Sequence, residues 1–155
     1  MNKWITGSRK TIGCYLAAFM LPMLLLLIAG GIGGQYPFGG KTILTWDLDF
    51  EYVGMFSWLV RVLKGESMDS LWYSFSATWG GGTVGILGYY LLSPFNIILL
   101  LFTTETMPIG IMLVTIVKIS CCGVTMCYYL KNRFHVLSYG TVLFSTMYAL
   151  MGYNI

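Results

Sequence analysis

Four apolar runs constrain this chain more than any other feature: residues 11–32, 80–102, 109–129 and 136–153. A helix needs about 20 apolar residues to cross a hydrocarbon core about 30 Å thick, and each run reaches or approaches that length. The chain is 57% hydrophobic and only 10% charged, with mean hydropathy +0.74. An ordinary soluble domain carries roughly a quarter charged residues, so a soluble core could not hide this much apolar surface. The expected fold is an all-α polytopic membrane protein. It has about four transmembrane helices, with interfacial amphipathic helices in its first external loop.

The expected order follows from the runs and the basic residues. Lys3, Arg9 and Lys10 precede the first span and argue for a cytoplasmic amino terminus at 1–10. The first helix is then 11–32, followed by an external loop at 33–79 with a juxtamembrane helix at about 47–64. A second helix at 80–102, a cytoplasmic turn at 103–108, a third helix at 109–129, an external loop at 130–135 and a fourth helix at 136–153 complete it. This alternation leaves Lys131 and Arg133 outside, against the positive-inside rule, and the first span is taken to dominate. The basic flank and the residues AGGIGG also fit a secretory signal peptide. The run is long for a signal and further spans follow, so it is read as retained. Pro22 and Pro94 fall inside runs, Gly81, Gly85 and Gly88 suit close helix packing, and Glu105 with Pro108 suits a helix start.

Several functions are excluded or disfavoured by composition. A net charge of +3 without a basic stripe leaves nothing for nucleic acid to grip. The cysteines (Cys14, Cys121, Cys122, Cys127) all lie in apolar runs and read as small packing residues, not redox or metal groups. His135 has no partner cluster for a metal.

The acids are concentrated instead. Of six, five fall between Asp47 and Asp69, beginning with Asp47, Asp49 and Glu51 in TILTWDLDFEY. From Asp47 to Lys64 the apolar residues Leu48, Tyr52, Met55, Phe56, Leu59, Val62 and Leu63 recur at helical steps. Phe50, Val53, Trp58 and Val60 make the other side apolar too, which suits a helix lying in the membrane interface. Two readings of Asp47 stay open on spacing alone. It is well placed as the helix N-cap, with Glu51 one turn later. Alternatively it carries chemistry, and the D-x-D of Asp47 and Asp49 is a weak signal for a divalent metal.

Three blocks, YPFGGKTILTWDLDFEY, YSFSATWGGGTVGILGYYLLSPFN and FSTMYALMGY, resemble the bacterial YfhO family of polytopic membrane proteins. Their order and spacing match across about residues 36–152, and the middle block is the most specific. The resemblance implies a GT-C-type glycosyltransferase of the bacterial cell membrane, taking sugar from a polyprenyl-phosphate donor. The acceptor it implies is a surface glycopolymer such as lipoteichoic acid. The family loop reads Asp, three residues, Gln, Tyr; here Asp47 and Tyr52 fill its ends and Glu51 replaces the Gln. Asp47 is then the expected catalytic base, with Asp49, Glu51 and Tyr52 in support. Lys41, Arg61 and Lys64 are the outer cations that could meet the lipid phosphate, or snorkel beside lipid head groups. Lys118, deep in the third run, either faces an ion-pair partner or helps bind donor. Family members are several times longer, so the expectation is an amino-terminal fragment. The competing function is a non-enzymatic membrane accessory or transport-related protein.

Overall fold

The computed structural model describes residues 2–35, 37–41, 51–76 and 80–152. Helix dominates: α1 (Asn2–Ile32), α2 (Val53–Leu63), α3 (Val84–Ile86), α4 (Met107–Phe134) and α5 (Tyr139–Ala149), with one two-stranded ribbon of β1 (Tyr73–Ser74) and β2 (Gly81–Gly82). The all-α membrane class expected from the apolar runs is what the structure has. The chain divides into two compact units. One joins residues up to Gly34 to those from Thr115 onward, and the other is Gln35–Val114.

In the first unit, α1 and the later part of α4 pack antiparallel. Gly123 lies against Ala18 and Pro22, Cys127 shares an apolar cluster with Cys14 and Ala18, and the Lys131 ammonium sits 5.5 Å from the centre of the Tyr15 ring. Rising numbers on α4 therefore meet falling numbers on α1. The contact at Gly123 has a local cause. Pro22 has no N–H, so the carbonyl of Ala18, four residues earlier, loses its helical partner. That oxygen faces Gly123, where an added Cβ would collide with it. Only a residue without a side chain lets the helices close over the freed carbonyl, with a Cα–H contact available to it.

Helix α5 starts from a capping box, with Thr141 N–H donating to Ser138 Oγ at 3.4 Å and Ser138 N–H to Thr141 Oγ1 at 3.2 Å. Its hydroxyls turn inward onto their own helix: Ser145 donates to Thr141 O at 2.7 Å and Thr146 to Val142 O at 2.9 Å. Such back-bonding satisfies polar side chains where water is absent. The outer face of α1 is frankly apolar, with Leu16, Leu24, Leu25 and Ile28 exposed. Lys10–Ile32 and Met107–Phe134 are each long and apolar enough to cross a membrane. An apolar surface of that extent needs lipid or another helix against it.

The second unit is organised on α2. Its Phe56, Leu59 and Val60 are buried with Leu87, Leu91, Leu99, Met107, Ile111 and Val114. Gly110 lets the start of α4 close on this cluster, since a Cβ there would stand 2.9 Å from the Phe102 ring and 3.0 Å from Leu99.

Two details differ from expectation. The run 80–102 is not one straight helix. Gly81 and Gly82 form β2, α3 passes into a π-helical turn at Leu87–Leu91, and a 3₁₀ helix occupies Pro94–Leu101, the halves meeting at 90°. Pro94 explains the break, because a residue before proline is driven out of the helical region, and Ser93 is extended at φ −65°, ψ 128°. The second difference concerns packing glycines. Cβ atoms added at Gly81, Gly85 or Gly88 would meet nothing within 4 Å, whereas Gly110 and Gly123 make the close approaches. The juxtamembrane helix is described from α2 onward, preceded by a π-helical turn at Glu51 and Tyr52. Asp47 and Asp49, with the N-cap expected at Asp47, lie outside the described residues.

Candidate functional site

Three of the four described acids, Glu51, Glu66 and Asp69, lie in the segment 51–76 of the second unit, and Glu105 stands apart. Glu51 and Tyr52 stand at the head of α2. The Tyr52 ring meets that of Tyr90 edge-on at 4.3 Å, and Tyr90 meets Tyr89 at 4.1 Å. The three rings form one contiguous cluster, and the Glu51 carboxylate is near enough to act on both Tyr89 and Tyr90. Tyr89 is 66% exposed and Tyr90 41%, so the cluster is open to a ligand and not sealed in a core. An exposed tyrosine cluster beside a carboxylate can stack on a sugar ring and hydrogen-bond its hydroxyls.

A second constellation follows α2. The Asp69 carboxylate accepts from the Trp58 indole N–H at 2.8 Å, Ser74 Oγ at 2.7 Å, Ser76 Oγ at 2.6 Å and Phe75 N–H at 2.7 Å. The Ser76 and Ser74 hydroxyls foremost, with the Phe75 and Trp58 N–H groups, outweigh the opposing effect of desolvation and hold Asp69 well below the usual carboxylate range. A carboxylate held ionised by four donors is a poor proton acceptor. Its work is to tie the loop after α2 to α2 itself. Thr83 reinforces the tie, donating through its hydroxyl to Leu71 O while its N–H reaches Trp72 O at 3.1 Å.

The expected outer cations are all exposed. Lys41 follows a tight turn in which Phe38 N–H and Gly39 N–H both reach Gln35 O, at 2.8 and 3.0 Å. Arg61 lies in the last turn of α2. Lys64 caps that helix and donates from Nζ to Phe102 O at 3.0 Å, which commits one of its three protons to the fold. Among the described residues no group of three or more His, Cys, Asp or Glu could hold a metal. The D-x-D lies outside them.

At the break before Pro94 the buried Asn96 does a specific task. Its amide Nδ2 donates to Tyr90 O and Leu91 O, both at 3.1 Å. The Tyr90 carbonyl is the one whose helical partner would have been the N–H that Pro94 lacks. The sequence SPFN thus makes a bend and satisfies it.

Sequence reasoning missed Asp69 with Trp58, and Tyr89 with Tyr90. For the first, Ser74 ends β1 and Ser76 follows in a bend, a local shape that spacing in the sequence does not reveal. No spacing in the sequence links Tyr52 to Tyr90, which are 38 positions apart.

Long apolar helices and a folded, acid-bearing segment between two of them define an α-helical membrane protein. More specifically, the chain belongs to the YfhO family, described as bacterial membrane protein YfhO, whose sequence model matches residues 17–155. No curated protein and no solved structure matches it.

Proposed function

We propose that this chain carries the acceptor-activating segment of a GT-C-like glycosyltransferase, multi-pass in a bacterial cell membrane. It moves a sugar from a polyprenyl-phosphate donor to a surface glycopolymer such as lipoteichoic acid. The observation carrying this reading is the siting of every acidic residue within Gln35–Val114, with Glu51 and Tyr52 heading the amphipathic helix α2 only a few residues after Asp47. The donor's reactive carbon lies at the membrane surface, since a lipid tail anchors its phosphate. A carboxylate at the head of an interfacial helix reaches that plane and takes the proton of the acceptor hydroxyl. Asp47 has this role. Asp49 and Glu51 supply local negative charge, Tyr52 orients the acceptor with Tyr89 and Tyr90, and Arg61, Lys64 or Lys41 meets the departing lipid phosphate.

Asp69 is not a rival base, because its four donors hold it ionised and occupied. The experiment is to delete the gene, restore it, and measure the sugar content of purified surface glycopolymer. Loss on deletion and recovery on restoration is expected. Unchanged sugar content leaves the non-enzymatic accessory or transport-related role.

A further inference from the structure

We infer that the basic ends of α1 and α4 share one membrane face, the cytoplasmic one, and that residues 33–106 leave from and return to the other. Val84–Leu101 then folds back as a re-entrant element and does not cross.

Three observations meet here. First, α1 and α4 are antiparallel within one unit, through the Ala18–Gly123, Cys14–Cys127 and Tyr15–Lys131 contacts. A strict alternation of four spans makes the first and third spans parallel and puts Lys131 on the face opposite Lys10. The cation at 5.5 Å from the Tyr15 ring, five residues from Lys10, is at the wrong end for that arrangement. α4 runs unbroken from Met107 to Phe134, so in a membrane its first residues belong to the face opposite Lys131.

Second, the halves of the broken element are too short. Val84–Leu91 and Pro94–Leu101 are eight residues each and meet at 90°. At helical rises the pair reaches about 20 Å end to end, against about 30 Å of hydrocarbon. Asn96 satisfies the backbone at the bend, so the fold-back leaves neither the Tyr90 nor the Leu91 carbonyl without a donor.

Third, charge separates along the same line. The unit containing α1 holds Lys3, Arg9, Lys10, Lys118, Lys131 and Arg133 and no acid, while all six acids belong to Gln35–Val114, together with Lys41, Arg61 and Lys64. With Lys10, Lys131 and Arg133 together, the short loop after α4 obeys the positive-inside rule. That end fits the anionic headgroups of the inner leaflet. The inference also brings Tyr89 and Tyr90 to the face that carries Glu51, independently of any catalytic reading.

The test places single reporter cysteines at Thr104 and Asn132, both exposed, and labels intact cells with an impermeant maleimide. The parent chain, whose four cysteines lie within α1 and α4, sets the background. Labelling at Thr104 in intact cells, with Asn132 labelled only after the cells are opened, is expected. Labelling at Asn132 from outside, or protection of Thr104, overturns the inference. Fusions at the same two positions, to alkaline phosphatase and to a fluorescent protein, give the same decision should a cysteine variant fail to accumulate.

Discussion

The indole N–H of Trp58 donates to the carboxylate of Asp69 at 2.8 Å, joining the middle of α2 to the loop that follows it. The same carboxylate gathers Ser74, Phe75 and Ser76, so one anion organises the chain from residue 58 to residue 76.

Asp69→Asn should loosen that loop. The amide keeps the size but replaces one acceptor oxygen by a donor facing hydroxyl and N–H groups. Chymotrypsin should cut at the exposed Trp72, Tyr73 and Phe75 severalfold faster in the variant. The pH dependence has a definite sign. Because the folded carboxylate is held below its ordinary value, its contribution is complete above about pH 4 and is lost only as pH falls through the folded value. Parent cleavage, corrected for protease activity, should therefore stay flat from neutrality down to about pH 5, and the variant should be faster throughout.

Gly123→Ala should weaken the α1–α4 pair, since its Cβ meets the Ala18 carbonyl oxygen. Overpacking of this kind costs about 1–3 kcal/mol. Gly85→Ala is the control, because a Cβ there meets nothing within 4 Å. Thermal unfolding in detergent should show a clear loss for the first and none for the second.

Asn96→Leu removes the donors to Tyr90 O and Leu91 O. The Leu91 carbonyl is buried, and leaving such a group without a partner costs about 1–3 kcal/mol. The measured midpoint of detergent unfolding should fall by more than for Asn132→Leu, where the parent side chain is exposed.

Lys118 is half-buried on α4, in a unit that contains no acid. A lysine at mid-span costs about 3 kcal/mol on insertion scales. Lys118→Leu should therefore raise the amount of chain in the membrane fraction, read by immunoblot. A fall in abundance would mean that Lys118 has a stabilising partner.

Much of this architecture could be read directly from the residues. Apolar length predicts α1 and α4, and the three- and four-residue spacing from Met55 to Leu63 predicts α2, because these features depend on local periodicity. The break at Pro94 was visible as a proline but not as a right-angle bend. Its geometry depends on Asn96 reaching back to Tyr90 and Leu91, which is tertiary information. Glycines misled for the same reason: Gly85 and Gly88 look like a packing stripe, but only the partner helix decides that Gly123 is the one in contact. Asp69 was overlooked because a lone acid in a loop resembles any solvated residue until its four donors are known.

The base assignment at Asp47 is tested most directly by substitution at the native chromosomal locus, with glycopolymer sugar content measured alongside protein level. Asp47→Asn keeps the size and still caps a helix about as well as Asp, yet it takes no proton at neutral pH. The account predicts that Asp47→Asn abolishes sugar transfer at normal abundance, while Glu51→Gln, which restores the usual residue of the resembled family, retains it. Normal transfer by Asp47→Asn would contradict the account and leave Asp47 without a catalytic role.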